Sequence, residues 1–317
     1  MKLFDSLHKS VRALAREVKS AHVPPLLDAP KPCRIGLALG GGFARGLAHV
    51  GVLKALDEEG ITPDFIAGTS VGAVIGAAYC SGVSAKELEE IAAIVRFKDF
   101  ARYTISRFGL CTNDRMTGFL QRILKVKTFE QLRIPLAVTA TDFLTGEPVV
   151  FTRGDLVDPV RASCAYPGVF LPVNVNGKVM VDGLLGHAVP ARPLKEMGAD
   201  RVAAVYFGAH WVHRYPRHVL EVIGQCFSIV QANMSCLWRA HADLLVEPDV
   251  STYSFDDFHK ALGIVKVGYE AGVNALPTFR AWAAEREAYR KHCQEIQQKN
   301  LTIAPTAAIS QQPVPLG

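Results

Sequence analysis

The segment from Arg34 to Cys80 does most to fix what this chain can become. A short apolar run, "RIGLAL", leads through Gly40, Gly41 and Gly42 toward a helical stripe of Leu47, Val50, Leu53 and Leu56, which Gly60 stops. A second run, "DFIAG", leads through Thr69 and Ser70 into residues 71–80, which Ser81-Gly82 ends. Apolar runs this short, without polar alternation, suit strands buried on both faces. Residues 45–59 carry the three-residue recurrence of a helix. Two strand–helix units in succession require an α/β fold: a parallel sheet with helices on its faces.

The rest of the chain extends this pattern. Residues 84–128 read as mostly helical but less regular, including "RYTISRFGLCTNDRM", and suit a cover over a cleft. "TFEQ" has capping-box spacing, so a short helix starts there. "IPLAVTATDF" reads as a strand, "TGEP" as a turn and "VVFTRG" as a returning strand. "VNGKVMVDG" is a strand ending at Asp182. A helix around residues 193–197 precedes another buried strand, "DRVAAVYFG". Helices dominate from His218, with one strand-like run at "ADLLVEPDV". The organisation expected is an N-terminal segment, 1–33, a core, 34–208, a helical part packed on it, 209–299, and a tail, 300–317, with the composition of a disordered segment.

Composition excludes several classes. Of 317 residues, 49% are hydrophobic and 21% charged, enough apolar material for a sizeable core. The net charge of +5 is compatible with an anionic membrane surface but too small to argue for nucleic acid. The seven cysteines are odd in number, widely spaced and without a C-x-x-C, a pattern of reduced thiols in a cytosolic protein and not of a zinc site. Residues 1–21 have helical apolar spacing at Leu3, Phe4, Leu7, Val11, Leu14 and Val18, opposite a basic face, and no signal-peptide core. They read as a helix packed on its own domain or lying on a membrane surface. The uncharged run 65–85 is long enough for a bilayer, but a G-T-S turn breaks it into strand and helix. The expected location is cytoplasmic, with peripheral contact to the inner face of the membrane if that N-terminal helix lies on a surface instead of on its own domain.

Three motifs carry chemistry. "GTSVG", Gly68 to Gly72, is a G-x-S-x-G between a strand and a helix. In that setting the serine stands on a sharp turn, clear of the sheet, with a helix N-terminus favouring developing negative charge. The bland alternative is a helix-capping Ser70. "GGGFARG" is a glycine-rich strand-to-helix turn whose N–H groups serve an anion, either a phosphate or the oxygen of a tetrahedral intermediate. Nucleotide use fits poorly. No G-K-[ST] follows, and Arg45 stands where the third dinucleotide-loop glycine belongs, with Gly46 one place late. "VDGLLGHAVP" puts Asp182 at a strand end, where open α/β sheets gather their sites.

Together, "GLALGGGFARGLAHVGVLKAL", "GTSVG", "ATDFLTGEPVVF", "ASCAYPGVFLPV" and "VDGLLGHAVP" resemble the patatin-like phospholipases, especially bacterial members related to the neuropathy target esterase catalytic domain. The resemblance covers about residues 34–208. It implies a three-layer α/β/α sandwich with a mostly parallel central sheet and hydrolysis of lipid acyl esters, of phospholipase A or lysophospholipase type, without metal or cofactor. It further implies Ser70 as nucleophile, Asp182 as base, and an oxyanion loop at Gly41, Gly42 and Phe43, helped by Arg45, which adds charge or fixes the loop. Gly40, Gly46, Gly68, Gly72 and Gly183 support these motifs. Two positions depart from the family pattern. Phe43 stands where relatives have glycine, which restricts φ and adds bulk. Gly186-His187 stands where many relatives have asparagines.

Two other classes compete. An α/β-hydrolase would use a Ser–Asp–His triad, with His187, His210, His213 or His218 beside Asp182. A lipid-binding module on the same fold would need no turnover. The partners expected are a lipid or acyl-ester substrate and an anionic membrane surface, with no nucleic acid; the oligomeric state and the head group are not readable.

Overall fold

The computed structural model describes residues 30–104, 106–208, 215–216 and 219–303. The expected helix at residues 1–21 lies outside them, and of the expected tail, 300–317, only residues 300–303 are described, where they continue the last helix instead of starting a disordered segment. Residues Cys33–Ala284 form one compact unit. The described parts of the second are residues 30–32 and the end of the last helix from Glu285.

In chain order the elements are β1 (Ile35–Leu39), a 3-10 turn (Phe43–Leu47), α1 (Ala48–Glu58), β2 (Phe65–Thr69), α2 (Val71–Cys80) and α3 (Ala85–Ile94). There follow β3 (Arg102–Tyr103), β4 (Gly109–Thr112), α4 (Asp114–Ile123), β5 (Leu136–Asp142), β6 (Pro148–Phe151) and α5 (Val157–Ser163). Next come β7 (Gly168–Phe170), β8 (Val173–Val175), β9 (Lys178–Asp182), α6 (Leu184–His187) and α7 (Ala191–Glu196). The chain closes with β10 (Arg201–Val205), α8 (Val219–Asn233), α9 (Ser235–Arg239), β11 (Leu244–Val246) and α10 (Ala261–Ile303).

The central sheet runs β11-β10-β1-β2-β5, all parallel, and is completed by antiparallel β6, β9 and β8. Both faces are covered, which is why β1 is apolar at every position. Ile35, Leu37 and Leu39 join a core with residues of α1, α2 and α10, while Ala38 packs with Ala67, Ala137 and Ala204 against Leu194 of α7 and Trp238 of α9. Fully burying one such leucine contributes roughly 1.5–3 kcal/mol. The long uncharged run 65–85 is β2, a turn and α2, as expected, and among the described residues no helix is long and apolar enough to cross a membrane.

Two details differ from the sequence reading. The turn before α1 begins as a 3-10 helix at Phe43 and becomes α-helical only at Ala48. The segment 84–128 is less helical than expected. Residues within "RYTISRFGLCTND" form the β3–β4 pair, and β4 runs parallel to β7, more than fifty residues downstream. That pairing comes from a distant partner, so local periodicity does not reveal it. A 3-10 turn at Phe129–Gln131 does carry the expected capping box on Thr128.

Candidate active site

The sharpest backbone feature of the sheet's C-terminal edge is Ser70. It lies between β2 and α2 at φ 55°, ψ −124°. For a non-glycine residue this region costs of order 1–3 kcal/mol and persists only where the surroundings over-determine it. Here they do. Gly72 passes so close to β1 that a Cβ on it would fall on the Leu39 carbonyl. The Ser70 N–H donates to Ser163 Oγ at 2.8 Å, from a fully buried side chain at the end of α5. Gly68, the last-but-one residue of β2, lies against the backbone of Gly72 and Ala73. Ser70 itself is 7% exposed.

Strand β5 brings Asp182 to the serine. Thr69, ending β2, pairs with Thr139 in parallel, and Asp182, ending β9, pairs with the next residue, Ala140, in antiparallel sense. β6 occupies the opposite edge of β5 over Val138–Thr141. Hence β2 and β9 meet end to end along one edge of β5, and the residues at the junction are Ser70 and Asp182. A web of bonds fixes the junction. Asp182 N–H donates to Ala165 O at 3.0 Å, and Thr141 Oγ1 to Asp182 O at 3.1 Å. Thr69 Oγ1 donates to His187 O at 2.6 Å and accepts from Thr139 Oγ1 at 2.8 Å. Gly183 crosses directly over the Thr139 backbone.

The Asp182 carboxylate is fully buried. Oδ1 accepts from Leu184 N–H at 2.9 Å. Oδ2 has no partner of full hydrogen-bond geometry among the described residues, although the Ser70 hydroxyl is close enough to favour the charged form. Burial outweighs both contacts and raises the carboxyl pKa to about 7. Cys164, also buried, sits beside both groups. Burial, and then the Asp182 charge, push its thiol pKa well up.

The glycine-rich loop is the other half of the site. Gly40 N–H donates to Val205 O at 3.3 Å, and Gly41 N–H to Ala188 O at 3.1 Å. The expected Gly41 donor is thus already engaged, and Gly41 packs beside the Ser70 Cβ. Gly42 and Phe43 carry the N–H groups of the loop that have no backbone acceptor among the described residues. Gly42 lies under the Phe207 ring, and Gly46 abuts Val71 where the loop meets α2. Phe43, the residue that departs from the family pattern, has φ 51°, a left-handed value that costs roughly 1–2 kcal/mol without glycine. Its ring is boxed by Tyr166 at 5.7 Å, Phe255 at 5.9 Å, Phe97 at 6.4 Å and Phe170 at 6.5 Å. Arg45 Nε donates to Tyr253 O at 2.8 Å, and its charge faces Asp257. That arrangement fits fixing the loop and not charging the hole.

Sequence reasoning missed three contacts. His49 is fully buried, and its Nε2–H donates to Gly40 O at 2.8 Å, clamping the loop's first residue. Burial lowers its pKa to about 4, so it is neutral at pH 7. Ser163 and Cys164 lie within the motif "ASCAYPGVFLPV", but nothing local marks them as neighbours of Ser70. Asp142 caps its own turn, accepting from the Leu144 and Thr145 N–H groups at 3.0 and 3.3 Å.

A cavity of about 100 Å3 opens from Ser70 and is apolar almost throughout. Phe43, Phe170 and Cys164 line it beside the serine, Val71, Val74 and Ala78 of α2 along one side, and Ile91 of α3 and Phe119 of α4 farther on. His187, one of the triad candidates, instead lines a second cavity with Arg192, Trp238 and His241. No histidine among the described residues bonds to Ser70 or Asp182; His210, His213 and His218 lie outside them.

Fold and site define an α/β sandwich protein with a strained serine elbow and a buried acid at the C-terminal edge of a parallel sheet. The patatin-like phospholipase family model matches residues 37–195, just over half of the chain, and the chain belongs to that family. An uncharacterized NTE family protein of Mycobacterium tuberculosis is 38% identical over 181 residues, covering 54% of this chain and 48% of that one. The patatin-like phospholipase domain-containing protein 6 of Mus musculus is 32% identical over 188 residues, covering 55% of this chain and 14% of that one. The chain therefore spans about half, or far less, of the length of these relatives. Among solved structures, VipD from Legionella pneumophila superposes with a TM-score of 0.52 at 16% identity, over 79% of this chain and 68% of that one, a likeness of fold.

Proposed function

We propose that this protein is a serine acyl-ester hydrolase of lipids, with Ser70 as nucleophile and Asp182 as general base. One observation carries the reading: a strained, nearly buried serine meets a buried carboxyl poised near neutrality at the mouth of an apolar cavity. In the ionised form, Asp182 Oδ2 takes the Ser70 proton as Oγ attacks the ester carbonyl. The tetrahedral oxyanion is met by the Gly42 and Phe43 N–H groups, and the alcohol leaves with the proton. Water then attacks the acyl-enzyme with Asp182 again as base. One oxyanion donor supplies roughly 3–4 kcal/mol of barrier lowering. The cavity along α2 receives the acyl chain, because hydrocarbon binds where no polar group must be desolvated.

Leu184 N–H on Oδ1 leaves Oδ2 as the basic atom, so the second carboxylate oxygen has a defined job. That the described His187 lines another cavity supports a dyad over a triad. Ser70→Ala and Asp182→Asn are each expected to abolish turnover of a p-nitrophenyl acyl ester while the fold is kept. Undiminished turnover in either variant removes that residue from the mechanism.

A further inference from the structure

The β3–β4 hairpin bears an apolar surface that the site does not use. Tyr103 is 81% exposed, Phe108 64% and Leu110 46%. Single exposed apolar residues are ordinary, but these three share one short hairpin. Tyr103 pairs with Cys111, which puts it on the face of the small sheet that Cys111 occupies, and Leu110 lies on the opposite face with Thr112 and its partner Arg102. Phe108 lies at the turn. The hairpin therefore offers large apolar groups on both faces and at its tip, the form of a wedge.

Cations ring that wedge. The Arg107 guanidinium lies 4.9 Å over the Phe108 ring. Arg115 Nη1 donates to the Lys98 main-chain O at 3.0 Å, so these two exposed residues are neighbours where the chain enters and leaves the hairpin. Of the nearby carboxylates, Asp99 accepts the Arg96 N–H at 2.7 Å, and Asp114 is shared by Arg102 of the hairpin at 3.3 Å and Arg161 at 3.4 Å. The hairpin is also continuous with the site. Its inner residue, Cys111, clusters with Phe170 and Phe43, both of which line the cavity that opens from Ser70.

We propose that the β3–β4 hairpin docks the protein on an anionic phospholipid bilayer. Tyr103, Phe108 and Leu110 enter the interfacial zone, where aromatic side chains with a polar or cationic neighbour are favoured. Lys98, Arg107 and Arg115 meet the headgroups, their aliphatic stems lying along the apolar layer. The docked hairpin sets the wall of the acyl cavity against the surface from which a lipid would leave. This proposal rests on the lipid-hydrolase reading of the site, and its test is separable from that reading.

Binding of the full-length Ser70→Ala protein to vesicles of phosphatidylcholine with or without phosphatidylglycerol is measured by co-sedimentation, so hydrolysis plays no part. Binding to the anionic vesicles is expected, weakening as salt rises. Replacing Tyr103, Phe108 and Leu110 together by serine should lower it by at least about tenfold. Changing Lys98, Arg107 and Arg115 to glutamine should lower it by about fivefold for each charge, with little effect on neutral vesicles. In the Ser70 background, the triple serine variant should keep wild-type turnover of a soluble short-chain p-nitrophenyl ester and the wild-type melting temperature, while losing activity on vesicle phospholipid. Equal vesicle binding by the triple serine and parent proteins overturns the proposal. So does a parent protein that ignores vesicles, or a self-association in solution that these substitutions abolish, which would make the hairpin a contact between copies. Absence of turnover with hairpin-dependent vesicle binding would instead count against the hydrolase reading alone.

Discussion

Two glycine-rich turns at one end of the sheet each hold a non-glycine residue at positive φ, and they do it by different means. At the elbow, Ser70 at φ 55° is trapped by main chain: β1 leaves Gly72 no room for a Cβ, and α2 begins at once. In the loop, Phe43 at φ 51° is held by side chains, a ring boxed by four others. Backbone confinement reads directly as glycines in the sequence. Side-chain confinement does not, because its members come from positions as far apart as Phe97, Tyr166, Phe170 and Phe255. The elbow is thus rigid by construction, whereas the loop's geometry depends on its aromatic surroundings.

Substitutions can break that contrast. Gly72→Ala should be the most damaging change, because the methyl group meets the Leu39 carbonyl and neither strand nor helix can yield. A loss of more than about 4 kcal/mol, or failure to fold, is expected in denaturant titration. A well-folded, active Gly72→Ala protein would show that the elbow is not held by its backbone.

Asp182→Asn comes next and acts in the other direction. The folded-state pKa, about 7, lies above the ordinary value of 3.8 because burial disfavours the charge. The group's contribution to stability is therefore full below about pH 4 and lost as pH rises through 7. Asparagine carries no such penalty. The variant should match wild type near pH 4 and exceed it by on the order of 2–4 kcal/mol above pH 7, at the expense of activity. Thermal unfolding across pH checks this, and parallel pH curves for the two proteins would contradict it.

The smallest effect isolates the loop. Phe43→Ala loses the aromatic packing and keeps the left-handed backbone, whereas Phe43→Gly loses the packing and relieves the backbone. Both should be less stable than wild type, with the glycine variant above the alanine variant by about 1 kcal/mol. Equal stabilities would mean that the φ value carries no strain.

Much of this site is legible in the sequence, and its illegible parts share a cause. "GTSVG" announces its strand, turn and helix because each residue acts within its own neighbourhood. Asp182 is visible as a strand end, but its meeting with Ser70 is written in the register of β5, where Thr139 and Ala140 receive different strands. His49 resembles any helix residue until Gly40 O is found against its ring nitrogen. Ser163 and Ser70 are 93 residues apart. For Arg45 the sequence leaves two roles open, and only the Tyr253 carbonyl in the folded chain favours one. The pairing of β4 with β7 is unreadable for the same reason, its two strands lying more than fifty residues apart.

The central claim is that a buried carboxyl near neutrality activates the elbow serine. The rate at which a fluorophosphonate labels Ser70, followed from about pH 5 to 9, tests it most directly. The account predicts labelling that rises through a midpoint near 7 and all but disappears in Asp182→Asn. A rate independent of pH, or an Asp182→Asn protein that labels as fast as wild type, would contradict it.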